Sequence, residues 1–210
     1  MKSNPFSGCY FFHFHTSFTD GRLTVSDYFD FATRNGIDSL VFLEHIRMVP
    51  TYDPIAFTRI VRGLAETTGV QTYVGFEAKL LPGGGLDIGE EILKLADVIG
   101  IAEHGFPDDR QLLESSFCRT LDQLVARTAD KTFVWVHPGL WLKKKGIDPR
   151  QDATFGAMLR GAQSYGVRIE RNLRYGLVSE ECLNEIGPDL VVMGADAHVA
   201  GDLEAWGLTR

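Results

Sequence analysis

The sequence contains little of what a secreted, membrane-spanning or thiolate-metal protein needs. Its three cysteines, Cys9, Cys118 and Cys182, stand apart without CxxC spacing, which argues against a disulfide framework or a thiolate zinc site. No apolar run approaches transmembrane length, and the amino end from Met1 to Pro5 leads into an apolar strand without a signal-peptide core. We therefore expect a cytoplasmic protein that does not contact membranes.

The chain also lacks an excess of positive charge. Of its 210 residues, 28 are Asp or Glu and 21 are Lys or Arg, so the formal net charge is -7 at pH 7. This balance argues against nucleic acid as a partner, although bound metal ions can still make one cleft attractive to phosphate. No internal repeat, low-complexity tract or linker is present, and the length suits one core. We therefore predict a single domain over residues 1–210.

Short apolar runs alternate with stretches of helical periodicity along the whole sequence. Runs that are apolar throughout are typical of parallel strands buried on both faces. The predicted strands are Tyr10 to Thr16, Asp38 to Leu43, Gln71 to Phe76, Asp97 to Ala102, Thr132 to Val136, Val167 to Arg171 and Leu190 to Gly194. The predicted helices are Thr24 to Arg34, Pro54 to Thr68, Ile88 to Leu95, Leu112 to Thr128, Thr154 to Tyr165 and Ser179 to Ile186. This alternation predicts an α/β fold, a β/α barrel of about seven units.

All six histidines fall at the downstream ends of these apolar runs, and three carboxylates occupy similar positions. The nine residues are His13, His15, Asp20, His45, Glu77, His104, His137, Asp196 and His198. A parallel barrel gathers the carboxyl ends of its strands on one face, so these side chains should meet in one cluster. A lone histidine is more often a hydrogen-bonded core residue, but that interpretation would have to account for all nine positions independently. The joint pattern therefore predicts a metal centre.

Several segments resemble the polymerase and histidinol phosphatase (PHP) superfamily of metal-dependent phosphoesterases. In chain order they are His-Phe-His-Thr at 13–16 with Asp20-Gly21, Glu44-His45, Gly75-Phe76-Glu77, Glu103-His104, Val136-His137-Pro138-Gly139 and Gly194-Ala195-Asp196-Ala197-His198. They span nearly the whole chain, and the set is more specific than any single piece. The resemblance implies a distorted (β/α)7 barrel, which agrees with the seven runs counted above.

The resemblance also implies a ligand set for two or three divalent ions, with Zn, Mn or Fe as the candidates. His13, His15, Glu77 and Asp196 would hold the first ion, and Glu77 would bridge to a second held by His104 and His137. Asp20, His45 and His198 would hold a third. Two residues depart from the family pattern. Glu44 stands where the family often has Asp, and Asp20 stands where related enzymes often have His.

The function implied is hydrolysis of a small-molecule phosphomonoester or phosphodiester by a hydroxide that bridges two of the ions. Glu77 and Asp196 are catalytic candidates as ligands beside the reacting groups. Arg171 and Arg174 follow the sixth predicted strand, and either guanidinium could bind a phosphate in a bidentate manner. The alternative for both arginines is a surface ion pair with Glu170 or with an acid on a helix.

Other functions remain open on the same residues. They are a histidinol phosphatase, a protein phosphotyrosine phosphatase, an amidohydrolase-type enzyme that cleaves amides or lactones, and a metal-binding module without turnover. The complete ligand set disfavours the last of these, and the absence of a basic groove disfavours a nuclease. Only twelve residues follow His198, which leaves little room for a final covering helix. We therefore consider a homo-oligomer in which a partner subunit shields the last strand.

Overall fold

The protein is described by a computed structural model that covers residues 4–128 and 130–207. Strands and helices alternate along the chain, as the sequence predicts. The strands are β1 (Tyr10–Phe12), β2 (Ser39–Val41), β3 (Glu44–Ile46), β4 (Gln71–Tyr73), β5 (Gly75–Lys79), β6 (Val98–Ala102), β7 (Thr132–Trp135), β8 (Arg168–Asn172) and β9 (Val191–Gly194). The helices are α1 (Val25–Asn35), α2 (Pro54–Thr68), α3 (Glu90–Leu95), α4 (Arg110–Gln123), α5 (Leu140–Lys143), α6 (Ala153–Ser164), α7 (Glu180–Leu183) and α8 (Ala200–Gly207).

The strands form two parallel sheets. One has the order β1-β2-β4 and the other the order β3-β5-β6-β7-β8-β9. The run predicted over 71–76 is divided between β4 in the first sheet and β5 in the second, and β3 follows the end of the run predicted over 38–43, which contains β2. The parallel α/β fold is thus confirmed. A closed barrel of seven strands stays a prediction, because the described strands form two sheets.

The segments that follow β1 and β9 lie side by side. The Ala195 N–H donates to Phe12 O at 2.9 Å, Ala197 N–H donates to His13 O at 3.1 Å, and His15 N–H donates to Ala197 O at 2.9 Å. Phe14 and Ala197 form a parallel bridge at the same place. The first and last strands therefore end next to each other, although 182 residues separate their ends in sequence.

Helix ends follow from local sequence. Thr24 caps α1 in a capping box with Asp27, and Asp53 caps α2 ahead of Pro54, which occupies the first turn. Both helices end at glycines, Gly36 and Gly69, whose backbones are left-handed. These caps set where each helix turns back to the next strand, and hence where the strand ends face the site.

Two apolar clusters stabilise the strands. The larger joins strands to the surrounding helices and is rich in aromatic rings, such as Phe14 against Tyr28 with ring centroids 4.2 Å apart. The smaller consists of buried residues from both sheets and the strand ends: Phe12, Val41, Leu43, Tyr73, Val98, Ala102, Val134, Val136 and Val192. Side chains of the two sheets therefore pack against one another away from the helices, and this packing holds the strand ends in place.

The last helix, α8, departs from the sequence-based expectation that little room remains after His198. Trp206 of α8 is buried and packs edge-on against Phe11 of β1, with ring centroids 4.9 Å apart. The chain thus has a final helix, which packs beside the first strand, so a partner subunit is not needed for lack of one. The homo-oligomer stays a prediction. No helix within 4–128 and 130–207 is long and apolar enough to cross a membrane.

Candidate metal centre

The nine predicted ligands come together at the carboxyl ends of the strands. His45 lies in β3 and Glu77 in β5, while His104, His137 and Asp196 each follow a strand by two residues. The other four are His13, His15, Asp20 and His198. Every member contacts at least one other through a nitrogen or a carboxylate oxygen, so residues far apart in sequence form one cluster.

Glu77 lies at the middle of the cluster and is 2% exposed. Its Oε2 atom is 3.3 Å from His13 Nε2, 3.6 Å from His15 Nε2 and 3.4 Å from His45 Nδ1. All three nitrogens thus face one oxygen of the same carboxylate.

The other oxygen of Glu77 faces a different pair of histidines. Oε1 is 3.3 Å from His137 Nε2 and 3.9 Å from His104 Nδ1. A carboxylate whose two oxygens face separate imidazole groups has the geometry of a bridge between two ions. The side chain predicted to bridge is therefore placed where bridging is geometrically feasible.

Asp196 and His13 close the first group from the two chain segments that run side by side. Asp196 Oδ1 is 3.8 Å from His13 Nε2 and 3.7 Å from His15 Nε2. His13, His137 and Asp196 have positive φ angles of 61°, 32° and 53°, which non-glycine residues rarely adopt. Such strain persists only where the surrounding structure imposes it, and it is concentrated here at three of the predicted ligands.

Asp20 forms the outer edge of the cluster. Its Oδ2 atom is 3.3 Å from His45 Nε2 and 3.5 Å from His198 Nε2, and its side chain is 55% exposed. Hydrogen bonds from His198 and then His45 lower the pKa of this carboxyl well below its usual range. Gly21 allows the loop to return to the strand end, because a Cβ there would lie 2.0 Å from His15 O.

The residues fit divalent ions. The cluster contains four sets of ligand atoms that lie within 4.8 Å of one another: His15, Asp20, His45 and His198; His13, His15 and Glu77; His13, His137 and Asp196; and Glu77, His104 and His137. Ligands about 2.1 Å from a tetrahedral zinc are roughly 3.4 Å apart. This separation is close to the distances from Glu77 Oε2 to the imidazole nitrogens of the cluster. Both ring nitrogens of His15, and Nδ1 of His45, His104 and His137, are buried without a hydrogen-bond partner among the described residues.

Two of these histidines are held in the form that binds metal. Burial lowers the pKa of His15 and of His104 to about 4. Both imidazoles are therefore neutral at pH 7, and a neutral imidazole offers a lone pair to a cation. A buried ring nitrogen without a hydrogen bond destabilises the folded protein, and binding of an ion would remove that cost.

Glu170 is a site residue that the sequence-based prediction missed as a functional group. The carboxylate is fully buried and accepts from His13 Nδ1 at 2.5 Å and from the His137 backbone N–H at 2.5 Å. Gly194 makes room for it, because a Cβ at that position would lie 1.7 Å from Glu170 Oε1. The available signal was an acidic residue, Glu170, inside the predicted buried strand Val167 to Arg171, with Asn172 directly after it. Glu170 thus orients one ligand ring and fixes the backbone of another.

Glu44 and Glu103, which precede His45 and His104 in the sequence, hold neighbouring segments of the site through hydrogen bonds. Glu44 accepts from the Thr16 N–H at 2.6 Å and from the Thr19 hydroxyl, so it holds the loop that carries Asp20. Burial raises the pKa of Glu44 to about 6. Glu103 is buried and accepts from Trp135 Nε1 and from the Gly139 N–H, each at 2.9 Å.

The two arginines proposed for phosphate binding occupy different environments. Arg171 donates to Glu180 in α7, which is the helix-acid ion pair considered as the alternative. Arg174 lies beside the cluster, because its Nη1 atom is 3.0 Å from Asp196 O and 2.9 Å from His198 Nδ1. The same atom is 3.4 Å from Asp202 Oδ2 in α8, so Arg174 also forms an ion pair with a helix acid. The suggested ion pair with Glu170 is wrong for both, since that carboxylate is buried against His13. Only Arg174 is brought to the site.

Further residues border the cluster. Lys79 Nζ lies 3.4 Å from the position that a Cβ on Gly105 would take, next to His104, and Lys144 also acts electrostatically on that histidine. Tyr175 stands over His137 with ring centroids 6.1 Å apart and planes nearly perpendicular. Burial, and next the charge of Asp196, raises the pKa of the Tyr175 phenol, which keeps its proton at neutral pH. The cluster is therefore bordered by cations and by a hydroxyl donor.

Comparison with known proteins gives no sequence relative: no protein-family model and no curated protein matches this chain. A chain in the structure of archaeal ribonuclease P with mature tRNA aligns over 94% of this chain and 81% of its own length, at 15% identity and TM-score 0.50. A Bacteroides vulgatus two-domain protein containing a predicted PHP-like metal-dependent phosphoesterase aligns at 18% identity and TM-score 0.49. A candidate metal-dependent phosphoesterase from Bifidobacterium adolescentis aligns at 16% identity and TM-score 0.45, covering 93% of this chain and 89% of its own length.

The alignment with the Bacteroides protein covers 90% of this chain but 52% of that protein, so the chain spans about half of its length. At these identities structural likeness concerns the fold alone. The ribonuclease P alignment supports a parallel α/β fold over nearly the whole chain. The chemistry of this chain therefore has to be argued from its own residues.

Proposed function

We propose that this chain is a metal-dependent hydrolase with a PHP-like fold that acts on phosphoester bonds of small molecules. The observation that carries the proposal is Glu77, whose two oxygens face separate groups of histidines at a buried strand end. Zn, Mn or Fe ions bound there would lower the pKa of a coordinated water from about 15.7 towards roughly 7 and polarise the bond to be cleaved.

The charges around the cluster favour an anionic substrate over a neutral amide or lactone. Lys79, Lys144 and Arg174 lie near its histidines although the chain as a whole is acidic. A rim of cations attracts and orients a phosphate, whereas a neutral amide gains little from it. This charge distribution supports hydrolysis of phosphoesters over the other reactions that the sequence leaves open.

Each residue then has a definable task. Glu77 and Asp196 fix the relative positions of the ligand rings, and Glu170 holds His13 through its second nitrogen. Arg174 has guanidinium N–H groups beside His198 with which to bind a phosphate oxygen. Tyr175 keeps its proton and stands next to His137, where it can donate a hydrogen bond to the substrate.

The test is release of inorganic phosphate from a panel of small phosphomonoesters and phosphodiesters, with amide and lactone substrates in the same panel. The protein is loaded separately with Zn, Mn or Fe, and His15→Ala is assayed alongside. We expect phosphate release that is lost after chelation and in the variant. Arg34→Met, which changes a residue at the end of α1, serves as the control.

Two results would contradict the proposal. Phosphate release that survives both chelation and His15→Ala would mean that the cluster is not the reactive site. Turnover of an amide or lactone without turnover of any phosphoester would assign the same site to a different reaction class.

A further inference from the structure

A second feature of the cleft lies beside the exposed edge of the metal cluster. A pocket of about 250 Å³ has Asp20 and His45 of the cluster in its lining, together with Phe18, Arg47, Pro50 and Tyr52. None of the buried ligands around Glu77 lines it. A substrate whose phosphate faces the cluster would therefore extend its remaining part into this pocket.

The walls of the pocket are suited to a flat ring. Phe18 and Tyr52 pack against each other with ring centroids 5.8 Å apart, and Pro50 adds a further apolar wall. The pocket is smaller than the roughly 300–1,000 Å³ typical of sites for drug-sized ligands. These dimensions favour one ring over an oligonucleotide or a protein loop.

One hydrogen-bond donor in the pocket, the Arg47 guanidinium, has spare capacity. The Tyr52 hydroxyl has no hydrogen-bond partner among the described residues, but its oxygen is buried and not accessible from the pocket, so Tyr52 contributes its ring to the wall. Arg47 donates Nη1 to Ile46 O at 2.5 Å, and its Nε lies 3.8 Å from Asp87 Oδ2. A guanidinium has five N–H groups, so most remain free for an anion. The donor set therefore calls for an acceptor that carries negative charge.

We propose that this pocket binds the organic part of the substrate, and that this part is a single ring bearing a carboxylate or a second phosphate paired with Arg47. The inference rests on the proposed phosphoesterase function and narrows its substrate class. Arg47 determines specificity in this scheme, while bond cleavage takes place at the cluster around Glu77.

The test compares phenyl phosphate with phenyl phosphate that carries a carboxylate on the ring. Each ester is assayed with the wild type, Arg47→Met, Tyr52→Phe and the control Arg34→Met, and each variant is compared with the wild type on the same ester. Comparison within one ester cancels the intrinsic reactivity of the leaving group. Metal content is measured in every sample, so that a loss of ions is not mistaken for a loss of specificity.

We expect Arg47→Met to lower kcat/KM for the carboxylated ester about tenfold or more, mainly through KM, because a charge-assisted hydrogen bond is lost. Its effect on phenyl phosphate should stay within about twofold, which lies inside the variation of individual contacts. Tyr52→Phe should leave kcat/KM for both esters within about twofold, since its hydroxyl is buried and does not contact the ligand. Equal losses on both esters in Arg47→Met, or no loss on either, would overturn the inference.

Binding of a non-hydrolysable analogue separates failure of this inference from failure of the proposed function. Phenylphosphonate with and without the ring carboxylate is titrated calorimetrically into the metal-loaded protein. Absence of phosphate release from every ester would reject the proposed function, while binding that weakens in Arg47→Met only for the carboxylated phosphonate would still support the pocket. Equal affinities of wild type and Arg47→Met for that phosphonate would reject the pocket as the anion site.

Discussion

The two sides of the cluster differ in how firmly the fold holds them. His13, His15, Glu77, His137 and Asp196 lie on the buried side, where no side chain is more than 6% exposed. On the open side the side chains of Asp20, His45 and His198 are 55%, 26% and 19% exposed. His104, which is 21% exposed and faces Oε1 of Glu77, lies at the edge of the buried side. One side is thus part of the protein interior, whereas the other lies at the surface of the cleft.

The difference arises from what stands behind each ligand. On the buried side, Glu170 fixes the His13 ring and the His137 backbone, and Gly194 leaves the space it needs. On the open side, Glu44 holds the Asp20 loop through Thr16 and Thr19 rather than contacting Asp20 itself. The ligands of the buried side are therefore in position before any ion binds, whereas those of the open side can move. We expect the ion of the open side to dissociate first.

The largest effect is expected for Glu77→Gln. The substitution replaces a carboxylate that faces histidines on both of its oxygens, so both buried ion positions lose a charged ligand at once. We expect metal affinity, measured by competition with a chelator, to fall by more than about 100-fold, the upper range for changes just outside the ligand shell. Glu180→Gln, an exposed glutamate, is the control. Unchanged affinity would remove Glu77 from the centre.

The next largest effect is expected for Glu170→Gln. The amide can still accept from the His137 N–H, but it no longer places a negative charge against His13 Nδ1. We expect a loss of about 10- to 100-fold in metal affinity, as for other partners of ligating histidines. Gly194→Ala should give a similar loss without any change of charge, because its Cβ occupies the space of the carboxylate. Wild-type affinity in both variants would reject this positioning role.

A smaller and more selective effect is expected for Asp20→Ala. It should remove one ion per chain and leave those around Glu77, because Asp20 contacts only the histidines of the open side. Native mass spectrometry counts the ions, and the free energy of unfolding of the metal-free protein should change by no more than about 0.5 kcal/mol, as for other surface positions. Asp30→Ala on α1 is the matched control. Loss of all ions would show that the two sides bind as one unit.

The smallest effects separate the two arginines. Arg174→Ala should weaken binding of inorganic phosphate to the metal-loaded protein about tenfold, because it removes a charged donor beside His198. Arg171→Ala should leave phosphate affinity within about twofold, since its guanidinium is paired with Glu180 away from the cluster. Equal effects of the two substitutions, measured calorimetrically, would contradict this assignment.

The contrast between these arginines shows why sequence position alone did not separate them. Arg171 is the last residue of the predicted strand and Arg174 follows it. In the structure Arg171 lies on the face of β8 opposite to Glu170 and Asn172, whereas Arg174 lies in the loop beyond it. Strand alternation separates Arg171 from Glu170, but it does not show which face of the strand meets the site. The structure places Glu170 inside, yet its partner His13 is 157 residues away and no local pattern joins them.

The sequence by itself determined the parallel α/β fold and the cluster of nine ligand residues, because apolar runs and the residues that end them are local properties. Only the tertiary structure decided which oxygen of Glu77 faces which histidine, which side of the cluster is buried, and which of the two arginines reaches it. Those relations depend on the packing of segments distant in sequence, such as Phe14 beside Ala197 after β1 and β9. Packing of that kind also made room for Glu170 behind His13, and residue patterns along one strand do not encode it.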